Sequence, residues 1–287
     1  MIILYKQSQK RKKIEVIHMQ IERCVEGKKG NFRYAVLDFD GTISLVREGW
    51  QQIMTPFFAD ELFATPGGKD MGYDACYLHA KEFITLLTGK QTIYQCIHLV
   101  EEITRMGGKP QDPQAYKDEY HQRLLDRINH RLDGLEDGSI DPETLTVPGS
   151  YDLLQMLLDH GVTPYLASGT DEPYVINEAR LLKVTPYFGQ HIYGAQTDYK
   201  TFSKKMVIER IIRENNLSGE MLLGFGDGYV EIENVREAGG FAVGVASNES
   251  ERAGIDEWKR ERLIRAGANI IIPDYRDINA LEKELFG

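Results

Sequence analysis

The residues best suited to chemistry are acids placed at the ends of apolar runs. Asp38 and Asp40, one residue apart, close the run Arg33-Tyr34-Ala35-Val36-Leu37, and Gly41 and Thr42 follow them. Alternate residues of an extended strand project to the same side, so the two carboxylates share a side. At the carboxyl edge of a parallel sheet, where ligands of open α/β sheets bind, such a pair can meet a metal and a substrate. Gly41 supplies the backbone freedom to turn sharply off the strand. The bland alternative is an Asp-Gly turn, to which the pair taken alone gives the lesser weight.

Three further pieces lie downstream. Strand 162–167 ends in Ser168-Gly169-Thr170, and Asp171 and Glu172 then start a helix. A small hydroxyl with free amides at a helix N-terminus can cradle a phosphate, although an ordinary N-cap has the same composition. Lys204 and Lys205 open a later helix, where an ammonium stands against the helix dipole and needs some other partner to favour it. Lys204 fits such a role best, with Lys205 and Lys200 close by and surface solvation the default for any one of them. Asp227, flanked by glycines, precedes Glu231 by four residues, so Glu231 turns back toward it after one helical turn. A calcium loop is a poor alternative, because acids at alternate positions are missing.

The elements that must position these residues follow from pattern. The run before Asp38 is rich in β-formers and free of Gly and Pro, as suits a buried parallel strand. From Ser44 to about Val147 helical runs are expected near 48–63, 74–87, 91–105 and 113–131. Turn signals at Pro66-Gly67-Gly68, Thr88-Gly89-Lys90 and Gly107-Gly108-Lys109-Pro110 separate them, and a loop from Asp133 to Pro148 closes the region. After Pro148-Gly149, helices are expected at 149–160, 172–182, 204–215, 229–238, 256–266 and 277–285. Strands at 162–167, 191–194, 221–225, 241–245 and 269–272 alternate with them, which implies a parallel sheet with right-handed crossovers. The expected division is a basic extension 1–31, an α/β core 32–45 and 147–287, and a helical insertion 46–146.

Taken in order, Asp38-Phe39-Asp40-Gly41-Thr42, Ser168, Lys204 and Gly226-Asp227-Gly228-Tyr229-Val230-Glu231 resemble the four motifs of the haloacid dehalogenase superfamily. The chain is similar to its phosphoglycolate phosphatase-like members with a C1-type cap. The resemblance implies a Rossmann-like three-layer α/β core with a parallel sheet and an all-helical cap inserted after the first core strand. It implies Mg²⁺ as cofactor, held at Asp38, Asp40 (through its backbone carbonyl) and Asp227, with Glu231 filling the last place of the fourth motif. It also implies that Asp38 attacks phosphorus to give an aspartyl-phosphate, while Asp40 serves as acid and then base. Ser168 and Lys204 would balance charge on the phosphoryl oxygens. Thr42, Gly169, Thr170, Arg47 and Lys90 are the further candidates for substrate binding. Thr88-Gly89-Lys90 is not a P-loop, since the earlier glycine and the preceding strand are missing.

The expected function is Mg²⁺-dependent hydrolysis of a small phosphomonoester, such as a sugar or small acid phosphate. A phosphotransferase or sugar phosphomutase on the same core is the alternative. A non-catalytic binding protein is disfavoured, because none of Asp38, Asp40, Lys204 and Asp227 is missing.

Composition sets the outer bounds. A chain of 287 residues with 42% hydrophobic and 10% aromatic content can pack one large or two modest domains. The net charge of −10 and pI near 5.3 argue against general nucleic-acid binding. A phosphate substrate remains compatible, because a divalent cation and one lysine reverse the local sign. Cys24, Cys76 and Cys96 form no CxxC pair and leave an odd thiol, which fits a reducing, cytoplasmic setting. No apolar run approaches the roughly 18 residues of a membrane span, and Met1 to Tyr5 is short for a secretory signal. Residues 1–33 carry a local charge of +6, with a basic cluster at Lys10-Arg11-Lys12-Lys13 and a helical pattern from Ile14 to Val25. A solvated leader or a helix lying on the domain is preferred there to a nucleic-acid or membrane role.

Overall fold

The computed structural model describes residues 21–196 and 198–287. Among them one mixed sheet is formed by β1 (Glu22–Arg23), β2 (Tyr34–Leu37), β3 (Thr163–Asp171), β4 (Ile192–Ala195), β5 (Leu222–Gly226), β6 (Phe241–Val245) and β7 (Ile270–Ile272). Their order is β1-β7-β6-β5-β2-β3-β4, and every pairing is parallel except that of β1 with β7. The chain moves outward from β2 to β3 and β4, then returns to the other side of β2 with β5. This reversal is a topological switch point, and it opens a crevice at the carboxyl end of β2. The last residues of β2, Ala35, Val36 and Leu37, are all buried, as a strand covered on both faces requires.

Five helices separate β2 from β3: α1 (Gln51–Phe63), α2 (Pro66–Met71), α3 (Tyr73–Leu87), α4 (Thr92–Arg105) and α5 (Pro113–Asp137). They form the cap. The core helices are α6 (Ser150–Asp159), α7 (Glu172–Leu181), α8 (Thr185–Phe188), α9 (Lys204–Asn215), α10 (Tyr229–Glu237), α11 (Glu257–Arg265) and α12 (Ile278–Phe286). Strand alternation sends neighbouring residues of β2 to opposite layers. Leu37 joins a cluster that continues through Phe39 and Val46 into Phe57, Phe83 and Leu124 of the cap, whereas Val36 packs with Val207, Ile211 and Ile232. One layer of the core therefore extends without a break into the cap.

Three of the departures from expectation have clear local causes. Pro66-Gly67-Gly68 opens the short helix α2 instead of a turn, because Pro66 suits the first helical position and the Thr65 hydroxyl accepts from Gly68 N at 2.9 Å. Helix α5 runs on to Asp137 and ends at Gly138, whose φ of 77° is left-handed. Glu22 and Arg23 pair antiparallel with Ile271 and Ile270, so the end of the expected helix from Ile14 to Val25 is an edge strand. The open edge of β7 supplies its hydrogen bonds, and flanking ion pairs join Glu22 to Arg260 and Arg23 to Glu284. The rest of that expected helix and the cluster Lys10-Arg11-Lys12-Lys13 lie outside the described residues. Cys24, Cys76 and Cys96 are free thiols, and no helix among the described residues is long and apolar enough to cross a membrane.

Candidate active site

The loop after β2 is wound tightly on itself. Phe39 O accepts from the amides of Thr42, Ile43 and Ser44 at 3.3, 2.8 and 2.8 Å. Gly41 sits at φ +74°, and a Cβ added there would lie 2.2 Å from Asp227 Oδ2. Both the turn and the close approach of the second acid therefore demand glycine.

Asp38 is buried at the end of β2, where Phe39 N and Lys204 Nζ each reach Oδ1 at 2.8 Å. Lys204 also pairs with Glu231. Burial, and then the nearby Glu231 carboxylate, push the Asp38 carboxyl well above its ordinary range. Burial also opposes charge on Glu231, but the Lys204 ammonium and the hydrogen bonds with Asp38 and Lys204 together hold that carboxyl below its ordinary value. Oxygens of Asp38, Asp227 and Glu231 all lie within 4.8 Å of one another. Glu231 Oε2 is buried without a hydrogen-bond partner among the described residues. Hard carboxylate oxygens gathered this closely, one of them unpartnered, fit a divalent cation such as Mg²⁺.

Asp40 is oriented from the neighbouring strand. Its Oδ2 accepts from Thr170 Oγ1 at 2.9 Å and from Ser168 Oγ at 3.4 Å, while Oδ1 is buried 4.0 Å from Arg47 Nε. Burial raises the Asp40 carboxyl to about 6 against the opposing pull of Arg47. A carboxyl in that range can hold and release a proton near neutrality. Ser168, Gly169 and Thr170 lie on β3, which continues through a register shift to pair Asp171 with Ala195 instead of stopping at residue 167. Their hydroxyls thus converge on Asp40.

A cavity of about 110 Å³ is lined both by these groups and by the cap residues Trp50, Lys90 and Tyr120. The cap loop is seated on the core: Gln91 Nε2 donates to Phe202 O at 2.7 Å, and a Cβ on Gly169 would meet Lys90 O at 3.0 Å. A family model described as haloacid dehalogenase-like hydrolase matches residues 32–239, a span that holds Asp38, Asp40, Ser168, Thr170, Lys204, Asp227 and Glu231. The chain belongs to the haloacid dehalogenase-like hydrolases. Its fold is similar to that of a predicted phosphoglycolate phosphatase from Haemophilus somnus 129PT, with TM-score 0.58, 13% identity, and 88% of this chain and 98% of that one covered. A β-phosphoglucomutase from Clostridium difficile matches with TM-score 0.56 and 14% identity over 88% and 98% of the two chains. A HAD family hydrolase from Deinococcus radiodurans R1, solved with bound phosphate and sodium, matches with TM-score 0.52 and 14% identity over 89% and 97%. No curated protein matches the sequence.

In this hydrolase two residues with candidate substrate roles also hold partners within the protein. Thr42 is fully buried, where its hydroxyl accepts from Asp227 N at 3.0 Å and its carbonyl accepts from Tyr275 Oη at 3.0 Å. Arg47 lines the cavity but is buried in a two-point pair with Glu178, at 2.6 and 3.0 Å, through Nη2 and Nε. Lys90 lines the cavity with an exposed side chain. Four residues at or beside the site carry no sequence motif: Glu178, Glu249, Lys259 and Tyr275. A lysine in the first turn of a helix was the available signal for Lys259, as it is for Lys204.

Proposed function

We propose that this hydrolase cleaves a small phosphomonoester through an aspartyl-phosphate on Asp38. One observation carries the reading: the buried Asp38 carboxylate faces a cavity between core and cap, with an ammonium 2.8 Å from one oxygen and a second, oriented acid two residues away. In the first step an Asp38 oxygen forms a bond to phosphorus, the ester P–O bond breaks, and Asp40 gives its proton to the departing alkoxide. In the second step Asp40 takes a proton from water as the water oxygen attacks phosphorus, the P–O bond to Asp38 breaks and inorganic phosphate leaves. Lys204 offsets the charge brought in by the phosphoryl oxygens. Asp38, Asp227 and Glu231 would hold Mg²⁺, with the Asp40 carbonyl as a further donor, and the bound ion would neutralise the dianion facing the carboxylate. The cap loop seated against Phe202 and Gly169 leaves a cavity of limited size, which supports a substrate of sugar-phosphate or small-acid-phosphate size.

A screen of phosphate esters with Mg²⁺, with phosphate release as readout, tests this. Release from small esters is expected, and excess EDTA should stop it. Action on a folded phosphoprotein with small esters untouched would overturn the substrate class. Transfer of the phosphoryl group to a second ester without release would replace hydrolysis by phosphotransfer.

The Asp40 carboxyl adds a pH test. A group raised above its ordinary value is protonated up to about 6 and loses its proton above that. On an alkyl phosphate, which needs a proton on its leaving oxygen, kcat/KM should therefore fall as pH rises through the Asp40 value. p-Nitrophenyl phosphate, with a leaving group that departs as an anion, should show a shallower fall. Asp40→Asn should flatten the difference and slow the alkyl ester by about 10². Identical profiles for the two esters in wild type would remove Asp40 from the acid role.

A further inference from the structure

A second buried ammonium stands beside Asp227 and takes no part in the steps above. Lys259 lies in the first turn of α11, where Asp256 caps the helix by accepting from Lys259 N at 3.0 Å. Its side chain is 9% exposed, and Nζ meets Asp227 Oδ2 at 2.8 Å, Glu249 Oε1 at 2.6 Å and Ser247 Oγ at 3.2 Å. Ser247 Oγ donates in turn to Gly41 O at 2.6 Å, which ties the cluster to the loop between Asp40 and Thr42. Glu249 itself lines the active-site cavity. Burial and the helix dipole both oppose an ammonium at this place, so the two carboxylates must offset both.

We propose that Lys259 and Glu249 are positioning residues that set how strongly Asp227 binds its divalent cation. The ammonium fixes the rotation of the Asp227 carboxylate by holding Oδ2. Its charge also repels a cation bound there, and Glu249 cancels that repulsion. Asp227, Glu249 and Lys259 together carry one net negative charge. Removing the lysine makes it two, and removing the glutamate leaves none.

This inference rests on the divalent-cation reading of Asp38, Asp227 and Glu231. Isothermal titration of the full chain with Mg²⁺, without substrate, compares wild type with Lys259→Met and Glu249→Gln. Lys259→Met should bind Mg²⁺ at least about tenfold more tightly and Glu249→Gln at least about tenfold more weakly, as Coulomb's law gives for a unit charge beside a divalent one at an effective dielectric near 20. A packing role alone would weaken both variants together. If Lys259→Met does not fold, Glu249→Gln decides alone, and unchanged or tighter binding there overturns the inference. Wild-type binding with both variants unmoved, or moved the same way, overturns the inference and leaves the cation reading standing. A wild-type chain that takes up no Mg²⁺ overturns both.

Discussion

Asp38→Asn is expected to leave the fold intact and reduce turnover to background. The amide has the shape of the carboxylate and can still accept from Phe39 N and Lys204 at its oxygen, both now 2.8 Å away. It cannot form a stable bond to phosphorus. Stability should not fall, because burial and Glu231 hold the Asp38 carboxyl above its ordinary value. A group raised in the folded state has its charged form disfavoured there, so its ionisation at neutral pH works against folding. Removing that charge relieves a like-charge contact while shape is conserved. Thermal unfolding should therefore show an equal or higher midpoint, and phosphate release should vanish on every ester that wild type accepts. Mass spectrometry of the assayed sample excludes deamidation back to Asp. Substantial turnover by the intact Asp38→Asn protein would rule out the covalent route.

The fold and the order of the motifs were legible because both are local. Alternating helix and strand after Pro148 implies a parallel sheet, and the bounds of α9 are readable from Ser203 followed by Val207, Ile208 and Ile211 on one face. The run into Asp38 announces a buried strand by its own composition. Pairings across the chain leave no such trace. Arg47 reads as a free cation until the fold brings Glu178, 131 residues away, into a two-point pair. Thr42 reads as a substrate hydroxyl until the fold lays the Asp227 amide against it. β1 is two residues long, too short for any period to register, and exists because β7 offers an open edge. Glu249 follows β6 at the same carboxyl edge as the other acids, but in the polar run Ser247-Asn248-Glu249-Ser250-Glu251, which reads as an ordinary solvated loop. The dipole reasoning that singles out Lys204 applies equally to Lys259 and was legible there too.

The two lysines that open α9 give the sharpest test of the site. Ser203 caps the helix by accepting from Met206 N at 3.1 Å, which makes Lys204 the first helical residue. Its side chain is 5% exposed and its ammonium reaches Asp38 Oδ1 at 2.8 Å as well as Glu231. The next residue is turned about 100° around the axis. Lys205 accordingly faces solvent, where it pairs with Glu237 at 2.8 Å, and an exposed pair of this kind contributes little. Lys204→Ala should lower kcat by about 10³, because a fixed charge beside the transferring phosphoryl group acts where water cannot replace it. It should also lower stability by about 3 kcal/mol, since Asp38 and Glu231 then share a buried site with no counter-ion. Lys205→Ala should match wild type in both. Lys204→Met, which keeps most of the bulk, separates the charge from the packing: kcat should stay low. These values are to be measured on one ester at saturating substrate and Mg²⁺, with thermal unfolding of each variant. A larger loss for Lys205→Ala than for Lys204→Ala would contradict the inward placement of Lys204, and comparable small losses would mean that neither ammonium touches the phosphoryl group.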